Sequence, residues 1–343
     1  MSFIRGKDGQ FVRELWPAPL PRRGVAVEQL LKDPWRVMPS EYDQLSSWAT
    51  LQAPDEGDHH TGPRRHYMLT YLSPPPGRAV VQVKVHVQGF LGSFNVKTLG
   101  DWNRSEHHLP RATQHITLIG GNDRAQEAFA VQWHAVRELQ SFVSDSLGEQ
   151  SLAEEVTQGE LTFARPVFSR ITPVHRPPGI QLTSLDDPSG RARRYANGRK
   201  WVVAHRIGVK ALTSTGAVIA LQPTALRRGD FVDVTFTVNV QYSFNKKFSR
   251  SVSHFAVHDV LRLMRYQDVQ VILPDIVNID QLDTPTEAVV GLPPNDEDQV
   301  MVPQVAFQGP TDDVPMHITS SSQSATNLPH AMNEMRIAED ATS

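Results

Sequence analysis

Phe231-Val232-Asp233-Val234-Thr235-Phe236-Thr237-Val238-Asn239-Val240-Gln241-Tyr242-Ser243-Phe244 is the longest unbroken alternation in the 343-residue chain. Val232, Val234, Phe236, Val238, Val240, Tyr242 and Phe244 fall on one side of a chain with the two-residue period of a strand. Asp233, Thr235, Thr237, Asn239, Gln241 and Ser243 fall on the other, so one buried and one wet face are expected. Such a strand spans about 40 Å, longer than usual, which suits a barrel or a strongly curled sheet. Asn245-Lys246-Lys247 can turn it back into a partner at 251–264, giving a long hairpin.

Upstream, Val81-Gln82-Val83-Lys84-Val85-His86-Val87-Gln88 alternates in the same way. Shorter strands are expected at 94–99, 115–119, 161–171, 180–185, 200–212 and 217–221. Gly120-Gly121-Asn122-Asp123 opens the one strong helix, 123–147. Asn122 or Asp123 can cap its free N–H groups, and Gln126 completes a capping-box spacing from Asp123. Phe129, Trp133, Val136, Val143 and Leu147 share one stripe, with Gly148 as the stop. A strand, two glycines and a helix N-terminus can hold a phosphate, but the lysine and spacing of a phosphate loop are missing, so a plain turn is the reading. Residues 1–78 read as a Pro-rich, partly ordered segment with a short helix at 25–31, ended by Pro74-Pro75-Pro76-Gly77. Polar residues 149–158 mark a loop or an internal boundary of a body at 79–274. The fold class expected is α+β, mainly antiparallel β, a barrel or a β-sandwich with one amphipathic helix.

Hydrophobic residues make up 39% of the chain, beside 25 prolines and 21 glycines, so irregular segments should accompany the core. Residues 275–343 hold twelve Asp and Glu against Arg336 alone, a charge of -11, which leaves +8 on 1–274. Prolines at 285, 293, 294, 303, 310, 315 and 329, with Asp, Ser and Gln between them, make this acidic tail an expected disordered segment. Within it, 327–339 places Leu328, Met332 and Met335 on one helical ridge, a candidate recognition helix for a protein partner. The tail's charge is also expected to shield the basic body from polyanions. No apolar run approaches a membrane span and no leader is read at Met1–Gln10, so an intracellular protein is expected, nucleus and cytoplasm not distinguished. Zero cysteines exclude disulfides, thiolate metal sites and a cysteine nucleophile.

Catalytic spacings such as GxSxG, GxGxxG, a Walker loop or HExxH do not occur. His59-His60 with His66, and Glu106-His107-His108, are the metal candidates. Adjacent histidines on a strand point to opposite faces, so neither cluster is read as a site, and no cofactor is expected. Asp186-Asp187 and Asp312-Asp313 sit in turn or tail sequence with nothing to position a proton. What remains is basic: Arg191, Arg193, Arg194, Tyr195, Arg199, Lys200 and Trp201, followed by His205, Arg206 and Lys210. A second cluster, Lys246, Lys247, Phe248 and Arg250, caps the long hairpin. Cations neutralise phosphates and rings stack on bases, so both are candidate nucleic-acid contacts, against the plain alternative of solvated loops. Pro188-Ser189-Gly190 and Asn197-Gly198 mark the first as a mobile loop feeding a strand.

Leu226-Arg227-Arg228-Gly229-Asp230-Phe231-Val232, leading into the long strand, resembles the late strands of oligonucleotide-binding barrels. The order of three strands, a helix and further strands over 79–171 is similar to that layout. The resemblance covers part of the body; it implies an OB-like barrel and single-stranded nucleic acid as partner. The chain is also similar to uncharacterised proteins of mushroom-forming fungi, a likeness that implies no activity. A non-enzymatic nucleic-acid-binding protein, single-strand selective, is the expected function. A coat-like assembly protein and a protein-interaction scaffold are the alternatives.

Overall fold

The long alternation forms the spine of a curled sheet. The structure, a computed structural model, describes residues 1–22, 25–52, 64–147, 159–171, 179–245 and 248–277. The chain enters through β1 (Ser2–Arg5), α1 (Val12–Leu15), α2 (Val27–Leu31), β2 (Val37–Pro39), α3 (Tyr42–Trp48), β3 (Ala49–Gln52) and β4 (Arg64–Tyr71). Then come β5 (Val85–Asn95), β6 (Thr113–Ile119), α4 (Asp123–Ser146), β7 (Glu160–Pro166) and β8 (Phe168–Arg170). It continues through α5 (Arg191–Arg199), β9 (Trp201–Val203), β10 (Gly208–Leu212) and β11 (Val218–Ala220). It reaches the hairpin of β12 (Phe231–Asn245) and β13 (Phe248–Met264), and α6 (Tyr266–Ile272) follows. Among the described residues eleven strands join one mainly antiparallel sheet, and β8 pairs β9 in a second, small one.

β12 is antiparallel to β13 along its whole length, with bulges beside Phe231 and Thr235 that bend the pair. On its other edge it pairs β5 first and β4 further on. Phe163 of β7 packs on Phe236 of β12, ring centroids 4.8 Å apart, while Phe255 of β13 meets Phe236 at 5.4 Å. Arg165 of β7 donates to the carbonyl of Val257 at 3.2 Å. The sheet therefore curls over on itself into a half-barrel, closer to the barrel than to the sandwich alternative. Residues 1–78 supply β1 to β4 and place Trp16, Leu20, Met38, Leu45 and Leu69 in the main core.

The expected wet face of the long strand is corrected. Val232, Val234, Phe236, Val238 and Val240 are buried, but so are Asp233, Thr235 and Thr237. Phe3 stacks on His86 at 4.7 Å over that polar side, and Trp16 packs edge-on against Phe231 at 5.0 Å. The polar residues face a covering layer and not water. Other readings also shift. The stretch 180–185 forms no strand and ends in a turn at 184–186, where the hydroxyl and N–H of Thr183 donate to the Asp186 carboxylate three residues on. The stretch 200–212 divides into β9 and β10, which belong to different sheets.

α4 matches the expected helix, with Phe129, Val136, Leu139 and Val143 buried. Gln132 is the polar exception on that buried side. Its Oε1 accepts from the Gln88 N–H at 2.7 Å and its Nε2 donates to the Gln88 carbonyl at 2.8 Å. Gln88 lies between the stretch of β5 that pairs β1 and the stretch that pairs β6, so the glutamine stands in for a missing strand. Gln132→Ala should lower the unfolding free energy by about 2–3 kcal/mol, since two buried backbone groups lose their partner. Urea denaturation measures this.

The turn before α4 does not offer a phosphate seat. Asn122 uses its amide to donate to the Asp275 carbonyl, and its N–H donates to Ile276 at 2.7 Å. Gly121, at φ +77, has the Ile276 carbonyl oxygen 2.7 Å from where a Cβ would stand. The strap 275–277 fills the space instead, with Ile276 and Val277 buried. Gly148, residues 149–158 and the candidate recognition helix at 327–339 lie outside the described residues.

Candidate nucleic-acid interface

The basic run at 191–200 is a helix and not the expected mobile loop. Asp187, buried at 2% exposure, accepts the N–H of Arg193 at 3.1 Å and so caps the first turn from outside it. Gly190 at φ 64 makes the left-handed entry. Ala192 and Ala196, four residues apart, put one small-residue face onto a separate apolar cluster with Trp102, Leu109, Phe168, Leu182 and Val203. Pro188-Ser189-Gly190 and Asn197-Gly198 gave the loop reading; the alanine spacing was the signal for the helix.

This packing turns Arg191, Arg193, Arg194 and Lys200 to solvent. None of the four has a carboxylate partner among the described residues. Arg199 pairs with Glu106 of the 3-10 turn Glu106–Arg111. Tyr195 and Trp201 are half-buried and pack on the apolar cluster, Tyr195 edge-on to Trp102 at 6.5 Å. The lobe built by residues 97–112, 167–171 and 179–206 holds ten Lys and Arg against four Asp and Glu. All four acids are engaged within the protein: Glu106 holds Arg199, and Asp101 accepts from the N–H of Thr113 at 2.7 Å. Asp187 caps α5, and Asp186 holds Arg206 at 2.8 Å. Burial would raise the Asp186 carboxyl, but hydrogen bonds from Thr98 and Thr183, together with Arg206, hold it below its ordinary value. Exposed Arg104, Arg111 and Arg170 complete the lobe. They are far from the basic run in sequence, and the β8–β9 pairing, the shared apolar cluster and the Arg199–Glu106 contact assemble them.

The neck joining lobe to half-barrel is also cationic. Arg165 donates to Val257 and lies 3.5 Å from Nδ1 of His258, whose Nε2 is 3.1 Å from the Thr237 hydroxyl. Burial pushes the Arg165 guanidinium down to about 10. Burial, then Arg165, Lys84 and His205, push His258 down to about 4. His258 is therefore neutral near pH 7, accepting from Arg165 through Nδ1 and donating from Nε2–H to Thr237.

The second expected cluster falls outside what the structure describes. Lys246 and Lys247 lie outside the described residues, as do the side chains of Phe248 and Arg250, which sit on β13. His59 and His60 are likewise outside them, and among the described residues no group of His, Asp and Glu is placed to hold a metal ion. No helix among them is long and apolar enough to cross a membrane.

A second polar cluster, His86, Gln88 and Asp233, is buried between the sheet and its covering layer. Asp233 accepts from, or pairs with, His86 Nδ1 at 2.7 Å, with Gln88 at 3.3 Å and Arg13 nearby. The space beside them is about 10 Å³, no more than a single water requires. It holds the covering layer to the sheet and leaves no room for a substrate.

The Leu226–Val232 lead-in has a structural role. Asp230 accepts from the N–H of Arg227 at 2.9 Å and of Tyr266 at 2.8 Å, tying the turn to the start of α6. Gly229, at φ +80, would drive a Cβ into the Tyr266 ring.

No protein-family model and no curated protein matches the chain, so the likeness to fungal proteins stands without support. Among solved structures the chain is similar to gp2.5, a single-stranded DNA-binding protein encoded by bacteriophage T7. The identity is 13% over 53% of this chain and 87% of that one, with a TM-score of 0.27. It is also similar to the single-stranded DNA-binding protein from bacteriophage Enc34, 10% identical over 63% of this chain and 90% of that one, TM-score 0.22. The same phage protein in complex with ssDNA gives 13% identity over 57% and 90%, TM-score 0.23.

Proposed function

We propose that this protein binds nucleic acid through the basic lobe, single strands in preference to duplexes, without catalysing a reaction on them. The observation that carries the reading is the placement of Arg191, Arg193 and Arg194. They occupy the first turn of α5, exposed and without carboxylate partners among the described residues. Positive charge there opposes the helix dipole, at about 0.3–1 kcal/mol per residue, so stability does not account for it. A phosphate backbone crossing the lobe would supply the missing counter-charge. Arg170, Lys200 and the part-exposed rim of Trp201 extend the same surface.

The preference for single strands rests on aromatic side chains beside the cations, because an unpaired base offers a face to stack and a duplex does not. Competition tests it: an unlabelled 15-mer should displace a labelled 15-mer from the full chain at lower concentration than its duplex does. Equal competition would leave general polyanion binding and remove the strand preference. Self-assembly is a second reading, favoured by β11, an outer strand of the sheet whose Val218 and Ile219 are 54% and 50% exposed. Light scattering at rising protein concentration separates the two.

A further inference from the structure

A cleft of about 340 Å³ opens between the end of β5 and the 3-10 turn Pro223–Ala225. That volume falls at the small end of ligand sites, about 300–1,000 Å³. Phe94, Asn95, Lys97, Thr224, Leu226 and Arg227 line it. We propose that this cleft takes one base of a bound strand, stacked on Phe94 and hydrogen-bonded by Asn95, with Lys97 and Arg227 on the adjoining phosphates; the inference rests on the nucleic-acid reading above.

Three observations point to a planar, polar-edged anion as the occupant. Phe94 is half-buried and, among the described residues, forms no aromatic pair. It differs in this from Phe90, Phe163, Phe236 and Phe255, each of which packs against another ring. The amide of Asn95 makes no hydrogen bond with the described protein, and its Oδ1 is buried without a partner. A base edge carrying both donors and acceptors can satisfy such an amide. Lys97 and Arg227 are exposed at the cleft, and Arg227 is held over it by donating to the Thr224 carbonyl at 3.0 Å. An apolar peptide would leave both cations and the amide unmatched.

The cleft also adjoins the lobe. Thr98, next to Lys97, hydrogen-bonds Asp186, and Leu99 packs on the lobe's apolar cluster. A strand crossing the lobe at 97–112 therefore has the cleft at the next residues back along the chain. Tyr195 and Trp201 spend part of their ring area on that cluster, and the half-buried ring of Phe94 adds a further stacking surface beside the lobe.

The test compares two 15-mers on the full-length protein by fluorescence anisotropy. One is oligothymidylate; the other is an abasic strand with the same phosphates and no bases. The wild type should bind oligothymidylate tighter by about 5- to 100-fold, the range that stacking one base supplies. Phe94→Leu, which keeps an apolar side chain, should bring oligothymidylate down toward the abasic strand and leave abasic binding unchanged. Asn95→Ala should narrow the gap in the same direction, and it carries the test if Phe94→Leu fails to fold. Equal wild-type affinity for the two strands overturns the base cleft while leaving the lobe in place. Full discrimination by both variants overturns it equally. Binding to neither strand overturns the nucleic-acid reading and the cleft with it.

Discussion

Asp233→Ala is expected to lower the unfolding free energy by about 3–5 kcal/mol, the cost of removing one member of a buried pair. Asp233 is fully buried near the start of β12, on the side that an alternating sequence assigns to water. Its carboxylate meets His86 at 2.7 Å and Gln88 at 3.3 Å. Removing it leaves both of those buried polar groups short of a partner, and Arg13 loses a nearby negative charge. Val234→Asp, one residue on, should cost several kcal/mol by the opposite route, placing a lone carboxylate among apolar side chains. The two losses should be of similar size although one position reads as polar and the other as core. Urea denaturation of both variants is the measurement. A loss below about 1 kcal/mol for Asp233→Ala would mean that the layer formed by residues 1–20 does not seal that face.

The triple replacement of Arg191, Arg193 and Arg194 by Gln should do the reverse: leave stability unchanged and weaken nucleic-acid binding about 10- to 100-fold near 50 mM salt. Gln keeps a long polar side chain and good helix propensity, so α5 should persist. Relieving three cations from the first turn of the helix can even raise the melting temperature slightly. The salt slope should also flatten by about 2, since each single-strand phosphate contact contributes about 0.7. Arg199→Gln is the control on the same helix. It breaks the contact with Glu106, so it should disturb the lobe's stability more than the outward arginines do. A triple variant that melts several degrees lower would show that these arginines hold the fold together.

The sequence carried the long hairpin, α4 and the mainly antiparallel character, because a two-residue or 3.6-residue period is a local signal. It did not carry what covers the strand. Alternation reports that a face is polar, and nothing in 231–244 says that Phe3, Arg13 and His86 will arrive from far away to bury it. Gln132 is similar: on a helix it reads as a solvent residue, and its role exists only where β5 lacks a neighbouring strand. The chemistry of the interface was legible as composition, but its shape was not. Asp187 caps α5 from beyond the usual capping position, so turn residues concealed a helix. Phe94 gave no signal at all, since the cleft it lines is closed by residues near 224.

The most direct measurement is the affinity of the full-length protein for a labelled 15-mer single strand, followed by anisotropy across rising salt. A basic lobe that neutralises phosphates predicts saturable binding at low salt, with the logarithm of affinity falling linearly against the logarithm of salt concentration. No binding at the lowest salt, or an affinity indifferent to salt, would contradict the account.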